Sequence, residues 1–302
     1  MVLRSELRAE SGASVHPAGA AALVVRSPVE PSHAYTLRFP GGDECEVAGD
    51  VASLVLQPLG SFQASSAGGG RSDIDDHALR GLIVYRCVIG SRAYGLDRGS
   101  SDTDRRGIYL PTARMHWSVF GVPEQLEDPA AQECYWEVGK FIRLGLKANP
   151  NVLETLWTPL VEHVDPIVKP LLDEREIFLS KLIFQTFNGY ALSQFRKMEQ
   201  DIRTTGEVKW KHAMHLIRVL LAGVAALRTE RLDLRVGDRR DELLAIRDGL
   251  VPWNRVDAIR RALHEDFQRA FVASRLPETP NFGRANEILI AIRAEVARRE
   301  TA

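Results

Sequence analysis

Gly90-Ser91-Arg92-Ala93-Tyr94-Gly95-Leu96-Asp97-Arg98-Gly99-Ser100-Ser101-Asp102-Thr103-Asp104-Arg105-Arg106-Gly107 is the stretch on which the fold turns. The residues before it, Leu82-Ile83-Val84-Tyr85-Arg86-Cys87-Val88-Ile89, are β-rich and mostly apolar, which predicts a buried strand. That strand ends at Gly90, where the missing Cβ lets the backbone come close to a ligand. Ser91 adds a hydroxyl and opens a helical stretch whose free N–H groups can hold a phosphate. Asp104 to Leu110 predicts a second strand, stopped by Pro111. With a period of two, Asp102 and Asp104 face the same side. Parallel carboxylates repel unless cations lie between them, and hard oxygen donors beside a phosphate suit Mg²⁺. Either signal alone fits a turn and a solvated loop. The order strand, Gly-Ser, spacer, Asp-x-Asp, strand points instead to a site for phosphate and metal.

Outward from this stretch the chain changes character. Gln132 to Trp136 predicts a third strand, and a helix begins at Glu137, with Val138, Phe141, Ile142 and Leu144 on one side. Asn149-Pro150-Asn151 interrupts it. Asn151 is then a plausible N-cap, with Glu154 at the third helical position of a capping box. Residues 171–302 carry spacings near 3.6, clearest in Ile177–Ile202, Val208–Arg228, Arg239–Asp248, Asn254–Ser274 and Asn281–Glu300. Strands followed by helices predict an α+β fold: a mixed sheet with flanking helices, then a helical domain. The expected division is an extension at 1–80, a catalytic domain at 81–170 and a helical substrate-binding domain at 171–302. In the extension, Leu23-Val24-Val25, Tyr35 to Phe39 and Val51 to Leu56 are strand candidates. Ser61 to Ser72, centred on Gly68-Gly69-Gly70, reads as a linker.

The quoted stretch resembles the nucleotidyltransferases of the DNA polymerase β superfamily, whose hallmark is Gly-Ser followed by Asp-x-Asp. The wider pattern resembles one branch, the predicted nucleotidyltransferases associated with bacterial RNA repair. Lys140-Phe141, then Asn149-Pro150-Asn151-Val152-Leu153-Glu154, Gly189-Tyr190-Ala191 with Gln194, and Lys211-His212-Ala213-Met214-His215-Leu216-Ile217-Arg218 carry that likeness. It runs from about residue 82 to 295. It implies a two-metal transfer of a nucleoside monophosphate from a nucleoside triphosphate to a hydroxyl, with release of pyrophosphate. Asp102 and Asp104 would hold Mg²⁺, with Mn²⁺ as the alternative. Matching back from Lys140-Phe141 puts Glu133 where a third carboxylate, usually an aspartate, is expected, with Asp128 and Glu137 as other candidates. Gly90, Ser91 and Arg92 would bind the triphosphate. The acceptor implied by the branch is RNA or tRNA. Transfer to a protein or small molecule, and a nucleotide sensor without catalysis, are the other readings.

Lys211, His215 and Arg218 are spaced to share one face of a helix, and their setting among apolar residues predicts that they face a groove. Triphosphate, base and acceptor backbone are all possible targets. Tyr190 and Gln194, one turn apart, suit either a base or packing. Arg106 is placed either at the site or paired back to Asp102 or Asp104.

Composition sets the outer bounds. Among 302 residues, 39 Lys+Arg stand against 40 Asp+Glu, which excludes a polybasic binder on whole-chain charge. The charge is uneven: residues 1–180 hold 17 Lys+Arg and 24 Asp+Glu, whereas 181–302 hold 22 and 16. An acidic front and basic back suit a carboxylate-bearing catalytic part beside a part that holds an anionic substrate. Cys45, Cys87 and Cys134 form no Cys-x-x-Cys pair, which suits a reducing, cytoplasmic setting. No stretch reaches the ~18 apolar residues of a membrane span.

Overall fold

The computed structural model describes residues 76–99 and 101–301, together with 2–3, 7–8, 14–16, 23–26, 35–39, 43–47 and 54–55. The chain divides into two compact units, Met1–Gly70 and Arg71–Ala302. In the first, Leu23–Arg26, Tyr35–Arg38 and Glu44–Val47 form an antiparallel three-stranded sheet. Two further pairs join Val2–Leu3 to Leu54–Val55 and Leu7–Arg8 to Ser14–His16. The strands expected at Leu23 and Tyr35 are present, and Glu44–Val47 pairs with the second of them. Ser61 to Ser72 lies outside the described residues.

The second unit is built on a five-stranded mixed sheet. After a short helix, α1 (Asp76–Arg80), come β1 (Ile83–Ile89), α2 (Ser91–Tyr94), β2 (Asp104–Tyr109), α3 (Ala113–Trp117), β3 (Gln125–Asp128) and β4 (Glu133–Glu137). Helices α4 (Val138–Gly145) and α5 (Pro150–Trp157) follow, then β5 (Val161–Val164). The strand order is β3-β4-β2-β1-β5, with β4 and β2 parallel and the other neighbours antiparallel. Then come α6 (Lys169–Asp173), a π-helical turn at Phe184–Asn188, α7 (Gly189–Thr205), α8 (Trp210–Thr229), α9 (Arg240–Arg247), α10 (Trp253–Ala273) and α11 (Phe282–Thr301). This is the α+β order expected from the sequence.

Alternation along the strands sorts the sheet into two faces. Tyr85, Cys87, Ile89, Ile108 and Trp136 join a core that also holds Phe141, Leu153, Ile217 and Phe267, so sheet and helical region share it. Leu171, where the sequence places its domain boundary, is part of that core. The opposite face is a smaller cluster of Leu79, Tyr109, Leu126 and Tyr135. Gly107 sits in β2 so close to β1 that a Cβ there would lie 1.8 Å from the Tyr85 carbonyl oxygen. Only glycine allows the strands to meet at that register.

Candidate active site

The chain leaves β1 through Gly90, whose φ of 74° and ψ of −154° lie in a region open to glycine almost alone. The conformation turns the backbone toward β2. A Cβ on Gly90 would stand 2.3 Å from Oδ2 of Asp104, so the two residues touch only because Gly90 has no side chain. Asp104 is the first residue of β2 and pairs with Ile89. Asp102 lies in the loop before the strand and is exposed, so strand alternation does not itself align the two carboxylates. Neither has a hydrogen bond or ion pair among the described residues.

Arg92, in α2, donates from Nη2 to the Ser101 carbonyl at 2.8 Å and from Nε to the Asp102 carbonyl at 3.4 Å. It therefore ties the Asp-x-Asp loop to the helix after Gly-Ser. Arg106 pairs with neither aspartate: its Nη1 donates to the carbonyls of Arg105 and Gln132 at 2.7 and 2.9 Å.

Glu133, expected as a third carboxylate, is turned away from the two aspartates. β4 and β2 run parallel with Glu133 opposite Arg105, so Glu133 shares the face of Arg105 and points away from that of Asp104. Its oxygens lie 3.8 Å from Arg105 and 3.4 Å from Arg80. The β4 residues on Asp104's face are Cys134, opposite Arg106, and Trp136, opposite Ile108. Neither other candidate takes the place. Asp128 pairs with Arg80 at 3.6 Å and accepts from the Ala131 amide, while Glu137 caps α4 and pairs with Arg293 at 3.1 Å. Among the described residues, no three His, Cys, Asp or Glu side chains gather as a metal site. Asp102 and Asp104 fit a hard divalent cation in donor type and in lacking cationic partners, whereas the Cys134 thiol does not suit Mg²⁺.

Residues 73–291 match the model of the RNA repair pathway DNA polymerase beta family, RlaP. The chain belongs to this family. It is also 30% identical over 153 residues to the uncharacterized protein YcgL of Bacillus subtilis (strain 168), a match covering 46% of the chain. The chain thus spans about half of that relative, 54% of its length. No solved structure matches the chain.

Family membership supports nucleotidyltransferase-type activity in general. Lys211 is exposed, His215 partly covered and Arg218 fully inside, so the expected basic face sinks into the core along α8. Arg218 does not line a groove: its Nη2 donates to Oε1 of Glu154 at 2.8 Å, and both side chains are 2% exposed. Burial opposes the charge of Arg218, but Glu154 and Tyr94 hold it protonated, above its ordinary value. Burial, helped by the Arg218 charge, pushes His215 down to about 3, so its ring is neutral at pH 7. Its Nδ1 lies 3.4 Å from Arg218 Nη2, and Tyr190 meets the ring edge-on at 6.4 Å.

Glu154 is the residue whose role the sequence misassigns. Asn149, not Asn151, caps α5, accepting from the Val152 amide at 3.3 Å. Pro150 is the signal, because proline favours the first helical position and makes the preceding residue the cap. Glu154 then falls deeper in the helix and accepts from the Tyr94 hydroxyl as well as from Arg218. Burial, and more weakly the charges of Glu154 and Asp104, raise the Tyr94 phenol, which stays protonated.

Proposed function

We propose that this protein moves a nucleoside monophosphate from a nucleoside triphosphate to a hydroxyl acceptor, an RNA end, tRNA included. The observation that carries this is the contact between Gly90 and the unpaired carboxylate of Asp104, with Ser91 and Asp102 beside it. Asp102 and Asp104 are the groups that would hold Mg²⁺ or Mn²⁺, which when bound offsets negative charge on the phosphates and acidifies the acceptor hydroxyl. Gly90 lets the triphosphate approach the backbone, and the Ser91 hydroxyl donates to a β- or γ-phosphate oxygen. Arg92 fixes the Asp102 loop from behind and lends its charge to the leaving group. The acceptor hydroxyl gives up its proton to water, its oxygen bonds to the α-phosphorus, and the bond to pyrophosphate breaks, pyrophosphate leaving with that electron pair.

Lys211, exposed at the start of α8, is assigned to the acceptor backbone. Tyr190, 37% exposed beside the neutral ring of His215, is assigned to the base. Arg218, buried against Glu154, contributes from within. No helix among the described residues is long and apolar enough to cross a membrane, and the three cysteines are free. Both suit the cytoplasmic setting we assign.

The test is a transfer assay with each α-labelled nucleoside triphosphate, Mg²⁺ or Mn²⁺, and a pool of short RNAs and tRNA. The Asp102→Asn/Asp104→Asn double variant runs beside the wild type. Label in RNA with wild type alone is expected. Equal labelling by the double variant would overturn the site, and label on protein would move the acceptor class. A nucleotide-binding protein without transfer is the second reading, favoured by the placement of Glu133 on the far face of the sheet. Tight triphosphate binding with no transfer to any acceptor would establish it.

A further inference from the structure

A buried charge cluster ties the helical region to the Gly-Ser turn. The Arg218 guanidinium lies over the Tyr94 ring, 3.6 Å from its centroid, and donates to one oxygen of Glu154. The Tyr94 hydroxyl donates to the other oxygen. The ring of Tyr94 is thus gripped on its face by α8 and at its edge by α5. Arg218 Nε and Nη1 are buried without a hydrogen-bond partner among the described residues. Such a pair is poorly arranged to stabilise the fold, because buried ions with unmet hydrogen bonds gain little over apolar side chains of the same size.

Tyr94 is the last residue of α2, and Ser91 is the first. A helix of one turn has no stability of its own and takes its position from what grips it. Beyond Glu154, the grips come from the helical region. The Val236 amide donates to the Tyr94 carbonyl at 3.1 Å, Arg240 Nε to that of Gly95 at 2.9 Å, and Arg247 Nη1 to that of Leu96 at 2.9 Å. From α2, Arg92 holds the carbonyls on either side of the loop's entry to Asp102. A continuous set of contacts therefore runs from Arg218 and Glu154 through Tyr94 to Ser91 and Asp102.

We propose that Tyr94, Glu154 and Arg218 are positioning residues through which the helical region sets where Ser91 and Asp102 stand for a nucleoside triphosphate. This rests on the nucleotidyltransferase reading. It separates position from stability. Tyr94→Phe removes one hydroxyl and keeps the ring. The apolar trio Tyr94→Phe/Glu154→Leu/Arg218→Met removes every charge at similar volume.

The experiment measures melting temperature, amide hydrogen exchange at Ser91 to Leu96, and calorimetric binding of a non-hydrolysable nucleoside triphosphate with Mg²⁺. In the trio melting is expected to stay close to wild type, whereas Tyr94→Phe, which leaves one buried Glu154 oxygen without its donor, is expected to melt lower. In both variants exchange at α2 is expected to quicken, and triphosphate affinity to fall, each by roughly tenfold. Ser91→Ala is expected to weaken binding in the wild type and to weaken it less in the trio, since α2 is already displaced there. Unchanged exchange in both variants would overturn the clamp. Faster exchange with wild-type affinity would overturn its link to the phosphates, and a fall in melting temperature alone would make the cluster purely structural. A wild-type protein that binds none of the four triphosphates would overturn the nucleotidyltransferase reading and the proposal with it, while the exchange result would still report on the clamp separately.

Discussion

Replacing Gly90 by alanine tests the site at its tightest point. Two costs add. The backbone region of Gly90 admits other residues only at about 1–3 kcal/mol. The new methyl would also stand 2.3 Å from Asp104 Oδ2, where ordinary contact begins near 3.4 Å, so the carboxylate must retreat by about an ångström. A misplacement of about 1 Å at a reacting centre costs on the order of 10²-fold in rate. Gly121→Ala is the control, because Gly121 has a φ of 62° but nothing within 4 Å of an added Cβ. Both variants should melt lower, roughly 4–8 °C for about 2 kcal/mol. Only Gly90→Ala should lose Mn²⁺ binding, followed by electron paramagnetic resonance, and nucleotidyl transfer. Transfer by Gly90→Ala within about threefold of wild type would show that Asp104 is not held against the Gly-Ser turn for chemistry.

Three further outcomes follow from the geometry. Glu133→Gln should leave transfer within about twofold and cost about 0.5–1 kcal/mol in urea unfolding, as its Arg80 and Arg105 pairs are partly exposed; a hundredfold loss of transfer would return Glu133 to the site. His215 stays neutral in the fold down to about 3, whereas the unfolded chain takes up its proton near 6.5, so falling pH favours unfolding. Between pH 7.5 and 5.5 the wild type should lose about 1.3 kcal/mol more stability than His215→Gln, and equal losses would refute the burial of that ring. Gly107→Ala should give no folded protein by circular dichroism, because the obstacle is the Tyr85 backbone; a cooperative melt near that of wild type would mean the β1–β2 register is wrong.

The residues nearest the turn were the most legible. β1 is marked by an apolar run that ends at Gly90, β2 by Pro111 just beyond its end, and α8 to α11 by helical spacing and by glycine and proline breaks. The helix expected from Ile177 is instead a 3-10 turn at Arg175–Phe178 and a π-helical turn at Phe184–Asn188 before α7 begins at Gly189. What the chain order could not show is which face a strand residue takes when its partner is far away. Glu133 and Cys134 are adjacent, and pairing with Arg105 and Arg106 alone decides which of them faces Asp104's side. β5, only four residues long, exists because β1 offers an open edge, a cause lying outside its own sequence. Arg218 was legible as a functional-looking arginine, but its partner Glu154 lies 64 residues away and was hidden behind a plausible capping pattern.

The bonds from Arg240 and Arg247 to the carbonyls of Gly95 and Leu96 bear on how the protein comes into being on the ribosome. They join residues 145 and 151 positions apart. At about 5–20 residues per second, the turn that would receive a triphosphate emerges roughly 7–30 s before the arginines that hold it. During that interval the nascent chain carries Gly90, Ser91 and both aspartates without the frame that sets their spacing. Competence to bind a nucleotide would then arrive only after α9 is made, and a chain cut short before α9 would lack the arginines that hold the turn.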